Sequence, residues 1–201
     1  MIQLQLIFSL LGSVFTVLCF VPYIITILQG KTKPNRATWW VWGLNGSVLC
    51  LGNLAAGADY TMLPLICAVV AQLCISILSI KYGEGGWNRF DRRCLIASGI
   101  SFILWRILNY DLIAIILPLL IDVIAALPTL KKSYYEPGTE DLLTYILYTI
   151  GGFFTVLSVQ DWSFAIAITP IYVLLINTVI VLLLTRQKTQ LMFITDKRKM
   201  D

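Results

Sequence analysis

Arg106-Ile-Leu-Asn-Tyr-Asp111 determines how many helices the chain can form. It is the polar interruption of an apolar run that extends from about residue 95 to residue 130. As one helix, at about 1.5 Å per residue, that run is far longer than a hydrocarbon core of about 30 Å. The Asn-Tyr-Asp sequence must therefore be a turn that divides two membrane-length helices.

Working outward, a spanning helix needs roughly 20 apolar residues, because unpaired backbone groups are too costly in lipid. Such runs cover 4–28, 38–57, 61–81, 93–109, 111–131, 142–159 and 163–185. The expected fold is an all-α integral membrane protein of seven transmembrane helices. Composition agrees. Of 201 residues, 58% are hydrophobic and 13% charged, where a soluble domain carries about 25% charged. That much apolar surface needs lipid as its solvent. Met1-Ile-Gln-Leu-Gln5 lacks the positive n-region of a signal peptide, and no small-residue cleavage site precedes the polar stretch 29–36, so the first run is expected to remain as a helix.

The charges test the count independently. With the N-terminus outside, the inside segments hold Lys31, Lys33 and Arg36, then Lys81, Arg89, Arg92 and Arg93, then Lys131 and Lys132, and finally Arg186, Lys188, Lys197, Arg198 and Lys199. Fourteen of the fifteen basic residues fall inside, and Arg106 alone lies outside, where the loops carry Asp59, Asp111 and Asp161. Anionic lipid and the membrane potential favour that sidedness, with the C-terminus cytoplasmic. Adding or removing one helix would scramble it.

Displaced by 106 residues, the sequence falls on itself without a gap. Pro22 meets Pro128, Thr38 meets Thr144, Gly46 meets Gly152 and Pro64 meets Pro170. Thr38-Trp-Trp-Val-Trp42 lies over Thr144-Tyr-Ile-Leu-Tyr148, keeping the outer aromatic positions. Each copy has a first helix broken near its inner end by proline, a second opening with Thr-aromatic, and a third with proline near its start. Three is odd, so successive copies would insert upside down, and a linker helix restores parallel orientation. The expected organisation is two parallel three-helix repeats plus a linker: bundles over 4–81 and 111–185, a linker over 82–110, and a basic cytoplasmic tail over 186–201.

In this three-plus-one-plus-three layout and its proline placement, the sequence resembles the SWEET/PQ-loop superfamily of membrane transporters over residues 4–185. The family's Pro-Gln dipeptide reads Pro22-Tyr23 and Pro128-Thr129 here, as in a divergent member. Gly30-Lys-Thr-Lys-Pro34 looks like the basic, turn-forming tail that follows it. The resemblance implies small polar solutes such as sugars or amino acids, while related folds serve as sorting-signal receptors.

Asp122 is the most informative single residue. It stands near the middle of the fifth run, where a carboxylate costs roughly 2.5–3.5 kcal/mol to insert, so a site or a partner is expected. It offers a proton-coupling or solute-contacting group; the alternative is a structural carboxyl bonded to a neighbouring helix. Its repeat equivalent, Thr16, is polar but cannot ionise, and a threonine there more often bonds its own backbone. Asn177 lies seven residues after Pro170 on roughly the same face, and the resemblance implies a solute-contacting asparagine at this depth. Its equivalent is Ala71, with Gln72 adjacent. Such an amide also serves as interhelical glue. Asn45 is deep enough to line a cavity, whereas Asn53, near the outer end, reads as a cap. Tyr145, Tyr148 and Thr149 occupy the matching helix. Trp39, Trp40 and Trp42 read either as an interfacial aromatic belt or, with Tyr145, as an inner gate. Pro22 and Pro128 each free a carbonyl one turn earlier, as moving hinges or static kinks.

The chain has no histidine, and its five cysteines show no CxxC pair or metal-ligand spacing; they read as small apolar thiols. No metal, no cofactor and no enzyme activity is expected, since paired intramembrane carboxylates and a nucleophile–base set are missing. The terminal Lys197-Arg-Lys199 reads as an anchor on anionic lipid, not a nucleic-acid patch. The expected function is transport of a small polar solute, sugar-like or amino-acid-like, by alternating access between two triple-helix bundles. Asp122 makes proton coupling available, with uniport as the alternative. A receptor or assembly factor of the same fold, binding a peptide or lipid, is the competing class. Oligomeric state is not legible, for want of a clear GxxxG stripe.

Overall fold

The computed structural model describes residues 2–84, 89–108 and 111–200; inside the helices, some side chains, including those of Arg106, Pro128 and residues 187–200, lie outside that description. The described chain is helical: α1 (Ile2–Leu28), α2 (Arg36–Ala55), α3 (Met62–Tyr82), α4 (Arg89–Leu108), α5 (Asp111–Tyr135), α6 (Leu142–Leu157) and α7 (Phe164–Met200), with a 3-10 turn at Pro137–Thr139. Among the described residues there is no strand, only one isolated bridge between Asn35 and Glu84. Three segments are long and apolar enough to cross a membrane: Gln3–Leu28, Met62–Tyr82 and Phe164–Arg186. Leu142–Leu157 is apolar but shorter.

Local chemistry sets the ends. Asn35 caps α2, its Oδ1 accepting from the Thr38 amide at 3.0 Å and the Thr38 hydroxyl at 3.3 Å. Asp141, 106 residues later, caps α6 in the same way, accepting from the Leu143 amide and, at 2.7 Å, from the Thr144 hydroxyl. A short side-chain acceptor there satisfies donors that the first turn leaves open. Beyond α1 and α2 the chain turns at Gly30 and Gly57, with φ of 71° and 82°, a region that costs glycine little.

Pro22 lies inside α1 without ending it: the helix continues to Leu28. One lost backbone bond is offset by the packing of the flanking turns, since Cys19, Phe20, Tyr23 and Ile27 are all core residues. The basic tail is also continuous with α7, which runs to Met200 because no glycine or proline follows Pro170. The α4–α5 turn at Asn109-Tyr110 lies outside the described residues, though α4 stops at Leu108 and α5 starts at Asp111.

The chain is inside-out relative to a water-soluble bundle. Ser9, Ser13 and Thr16 on α1, Asn45 and Asn53 on α2, Ser76 and Ser79 on α3, and Thr169 and Asn177 on α7 are buried. Large aliphatic residues face outward at helical spacing, as with Ile7, Leu10, Val14, Val17, Val21 and Ile25 on α1 and Ile96, Ile100, Ile103 and Ile107 on α4. Apolar surroundings suit such an exterior; water does not.

Helix α1 packs on α3 and α6, and α2 on α3, α4 and α5; α7 packs on α5 and α6. The α1–α6 seam is close because of glycine. A Cβ on Gly151 would lie 3.2 Å from the Gly12 carbonyl, the Phe15 Cβ and the Thr16 nitrogen. Phe154 stacks beside this contact on Phe8 and Phe15, at 6.2 and 5.7 Å between ring centroids. At the α2–α5 crossing, Asn45 Nδ2 donates to the Pro118 carbonyl at 2.5 Å. Small residues and cross-helix amide bonds are what hold helices together when the surroundings are as apolar as their side chains. Gly151→Val should separate α1 from α6 and destabilise the protein by about 1–3 kcal/mol through overpacking. Thermal unfolding in detergent is the measurement, and an unchanged midpoint would contradict the close seam.

Candidate functional site

Two cavities lie end to end between the helices. One is near the end that carries Lys33 and Lys132, the basic end. It is enclosed by Phe20 of α1, Trp39 and Trp42 of α2, Gln72 of α3, Asp122 of α5, Thr144, Tyr145 and Tyr148 of α6, and Tyr172, Val173, Ile176, Asn177 and Ile180 of α7. Its volume, mouth included, is about 520 Å³. The other, about 440 Å³, lies toward the opposite end between Thr16, Asn53, Thr61, Pro64, Gly152, Thr155, Thr169 and Pro170 among others. Tyr148 and Val173 are the residues that line both.

Seven of the residues singled out from sequence therefore meet around one space: Asp122, Asn177, Gln72, Tyr148, Trp39, Trp42 and Tyr145. Asn45 does not line it. Its amide is fully buried against α5, bonded to the Pro118 carbonyl and, at 3.5 Å, to Asp122 Oδ1, so it stands behind the carboxylate. Asn53 is no helix cap: it is buried and donates to the Leu49 carbonyl and to Thr169 Oγ1 on α7. The interfacial-belt reading fails for Trp39, which is only 5% exposed and packs between Phe20, Tyr23 and Trp42. Pro22 lies two residues after Phe20 of the cavity wall and beside the buried Tyr23; α5 runs through position 128, whose side chain is outside the described residues.

Asp122 is held by α7. The Tyr172 hydroxyl donates to its Oδ2 at 2.6 Å, a charge-assisted bond. Tyr172 escaped the sequence reading, although a tyrosine inside an apolar helix signals that its hydroxyl has found a partner. Three buried atoms near the site have no hydrogen-bond partner: Trp42 Nε1, Gln72 Oε1 and Asn45 Oδ1. Two of these belong to the cavity wall. Asn177, by contrast, spends its amide N–H on the Val173 carbonyl of its own helix.

The basic end is closed by a polar cluster whose members are scattered along the chain with no local motif to announce it. Lys132 Nζ pairs with Glu84 at 2.7 Å and with Glu140 at 3.3 Å, and donates to the Lys33 carbonyl at 3.0 Å. Glu140 Oε2 accepts from the hydroxyls of Tyr145, at 3.2 Å, and Tyr23, at 3.5 Å, and Trp39 Nε1 donates to Tyr23 at 3.3 Å. The cluster ties α1, α2 and the α3 end to the α5 end and the α6 entry, directly beneath the cavity floor of Trp39 and Tyr145.

Comparisons of the chain with protein-family models, curated proteins and solved structures find no match. The site is thus read from its own geometry.

Glu140 gives this closure a pH dependence. Its side chain is 3% exposed, and burial raises its pKa; the Lys132 charge opposes that shift without cancelling it. The folded chain therefore holds this proton more tightly than the unfolded chain does. The contribution to folding is present at acid pH and lost as pH rises through the folded value, whereas the ion pair to Lys132 exists only above that value. Acidification should loosen the cluster before exposed glutamates titrate. In a background free of native cysteines, Ile176→Cys should react faster at mildly acid pH, relative to a reference cysteine at exposed Lys31. Glu140→Gln should react fast at both pH values. Equal relative rates in all four conditions would remove the cluster's role in closure.

Proposed function

We propose that the chain is a membrane transporter for a small polar solute, working by alternating access between two three-helix bundles, α1–α3 and α5–α7, joined by α4. In this reading all seven helices span the bilayer, with the N-terminus outside and the basic end cytoplasmic. The observation that carries it is the pair of cavities toward opposite ends of one interface, both lined by Tyr148 and Val173. A solute site that opens to one side at a time needs such an arrangement.

Support for the repeat is independent of hydropathy. Exchanging α1, α2 and α3 with α5, α6 and α7 carries the α1–α6 contact into the α5–α2 contact, α1–α3 into α5–α7, and α2–α3 into α6–α7. The caps Asn35 and Asp141, with Thr38 and Thr144, recur at the 106-residue offset. The layout agrees with the resemblance to the SWEET/PQ-loop superfamily. The gate at the basic end is assigned to Trp39, Trp42 and Tyr145, braced by the Lys132–Glu140 cluster, and the hinges to Pro22 and Pro128. Asp122, Asn177, Gln72 and Tyr148 contact the solute, and Asn45 positions Asp122. Proton coupling is assigned to Asp122, the one carboxylate in the cavity wall.

Reconstituted into proteoliposomes, the protein should take up a member of a panel of sugars, amino acids and small amines with saturation. Uptake should respond to a pH gradient, and Asp122→Asn should abolish that response while leaving residual uniport. Saturable binding with no flux under any gradient would favour a receptor and end the transport reading.

A further inference from the structure

The cavity at the basic end has a chemical bias that narrows its ligand, on the reading that this cavity is the solute site. Among the described residues that line it, six of thirteen are aromatic, one, Asp122, bears a charge, and none is a lysine or arginine. Four of the rings form a connected wall. Trp42 meets Trp39 at 5.3 Å between centroids, Trp39 meets Phe20 at 6.3 Å, and Phe20 meets Tyr148 at 5.6 Å. The carboxylate is braced and not saturated: each oxygen can accept more than one bond, and Tyr172 and Asn45 supply one donor apiece, the second at only 3.5 Å.

We infer that this cavity binds a small organic ammonium ion, held by Asp122 and the aromatic wall, and lacking a carboxylate of its own. An ionised Asp122 favours a positive partner, and in a low-dielectric cavity that attraction is weakly screened. Rings supply the rest, because a cation near an aromatic face is stabilised by the ring quadrupole, most strongly with tryptophan and when water is excluded. Gln72 Oε1, buried and unpaired, can accept an ammonium N–H or a ligand hydroxyl. Three competing ligand classes fit less well. A bare metal ion needs several oxygen ligands, and no cluster of three or more His, Cys, Asp or Glu occurs among the described residues. An amino acid would bring a carboxylate that no basic side chain in the wall can meet. A neutral sugar offers no counter-charge to an ionised Asp122.

The test compares charged probes with their uncharged isosteres on the full-length protein in detergent, by calorimetric titration. Choline is set against the carbon isostere dimethylbutanol, and ethanolammonium against propanol. At least one ammonium should bind at least tenfold more tightly than its isostere. That gap should collapse in Asp122→Asn, and Trp42→Leu should weaken the ammonium more than the isostere. The wild-type comparison alone decides the matter if a variant fails to fold. Isosteres that bind as well as the cations, or no saturable binding of either cation, would overturn the inference. Proteoliposome flux separates this result from the transport reading. A cation that binds with the stated preference but never crosses leaves the ammonium site standing and removes transport. A sugar that crosses with no competition from either cation does the reverse.

Discussion

The polar side chains on these helices have to find partners within the chain, because the exterior is a surface of leucine, isoleucine and valine. That constraint governs the rest of the structure. Hydroxyls on α1, α3, α6 and α7 turn back to their own helices, as Ser13, Ser76, Thr155 and Thr178 do one turn earlier. A few side chains also join helices: Asn45 to α5, Asn53 to α7, Asp122 to Tyr172, and Ser76 to the Trp39 carbonyl of α2. The cavity lies where these longer connections converge, so binding capacity and helix cohesion draw on the same few residues.

The two proposed halves solve one packing problem in different ways. Position 45 of α2 lies against position 118 of α5, and their offset equivalents, 151 and 12, lie against each other across the α1–α6 seam. On one side an amide bridges to a carbonyl beside a proline. On the other, two glycines allow backbones to touch. The carboxylate stands next to the bridged side, where Thr16 is its offset equivalent at the glycine side. Of the offset pair Thr16 and Asp122, only the second can ionise.

Helix placement was legible in the sequence because apolar length and basic-residue sidedness are local, additive signals. Asp122, Asn177, Gln72, Tyr148 and the tryptophans were legible for a related reason: polar or aromatic groups within an apolar run have few uses other than a shared interior. Their partners were not. Nothing near Tyr172 in sequence announces a carboxylate fifty residues upstream, and Glu140, in a loop flanked by a glycine turn and an aspartate, reads as a solvated charge. Asn53 looked terminal by position and proved interior, because α2 ends against α7 and not against solvent. Trp39 illustrates the same limit, since a hydropathy profile gives depth and not the direction a ring faces.

Lys132 stands between two carboxylates and a backbone carbonyl, which makes the count of charges at the basic end uneven. One ammonium serves two anions. If the two proposed halves separate, the contact with Glu84 of the first is lost, while that with Glu140, on the same half as Lys132, stays in place at 3.3 Å. The lysine is never stranded in a dehydrated setting, and stranding a buried charge is the step that makes breaking an ion pair slow and costly. A surplus anion would thus act as a resting berth, and the proposed halves could part at this end with no bare cation along the way.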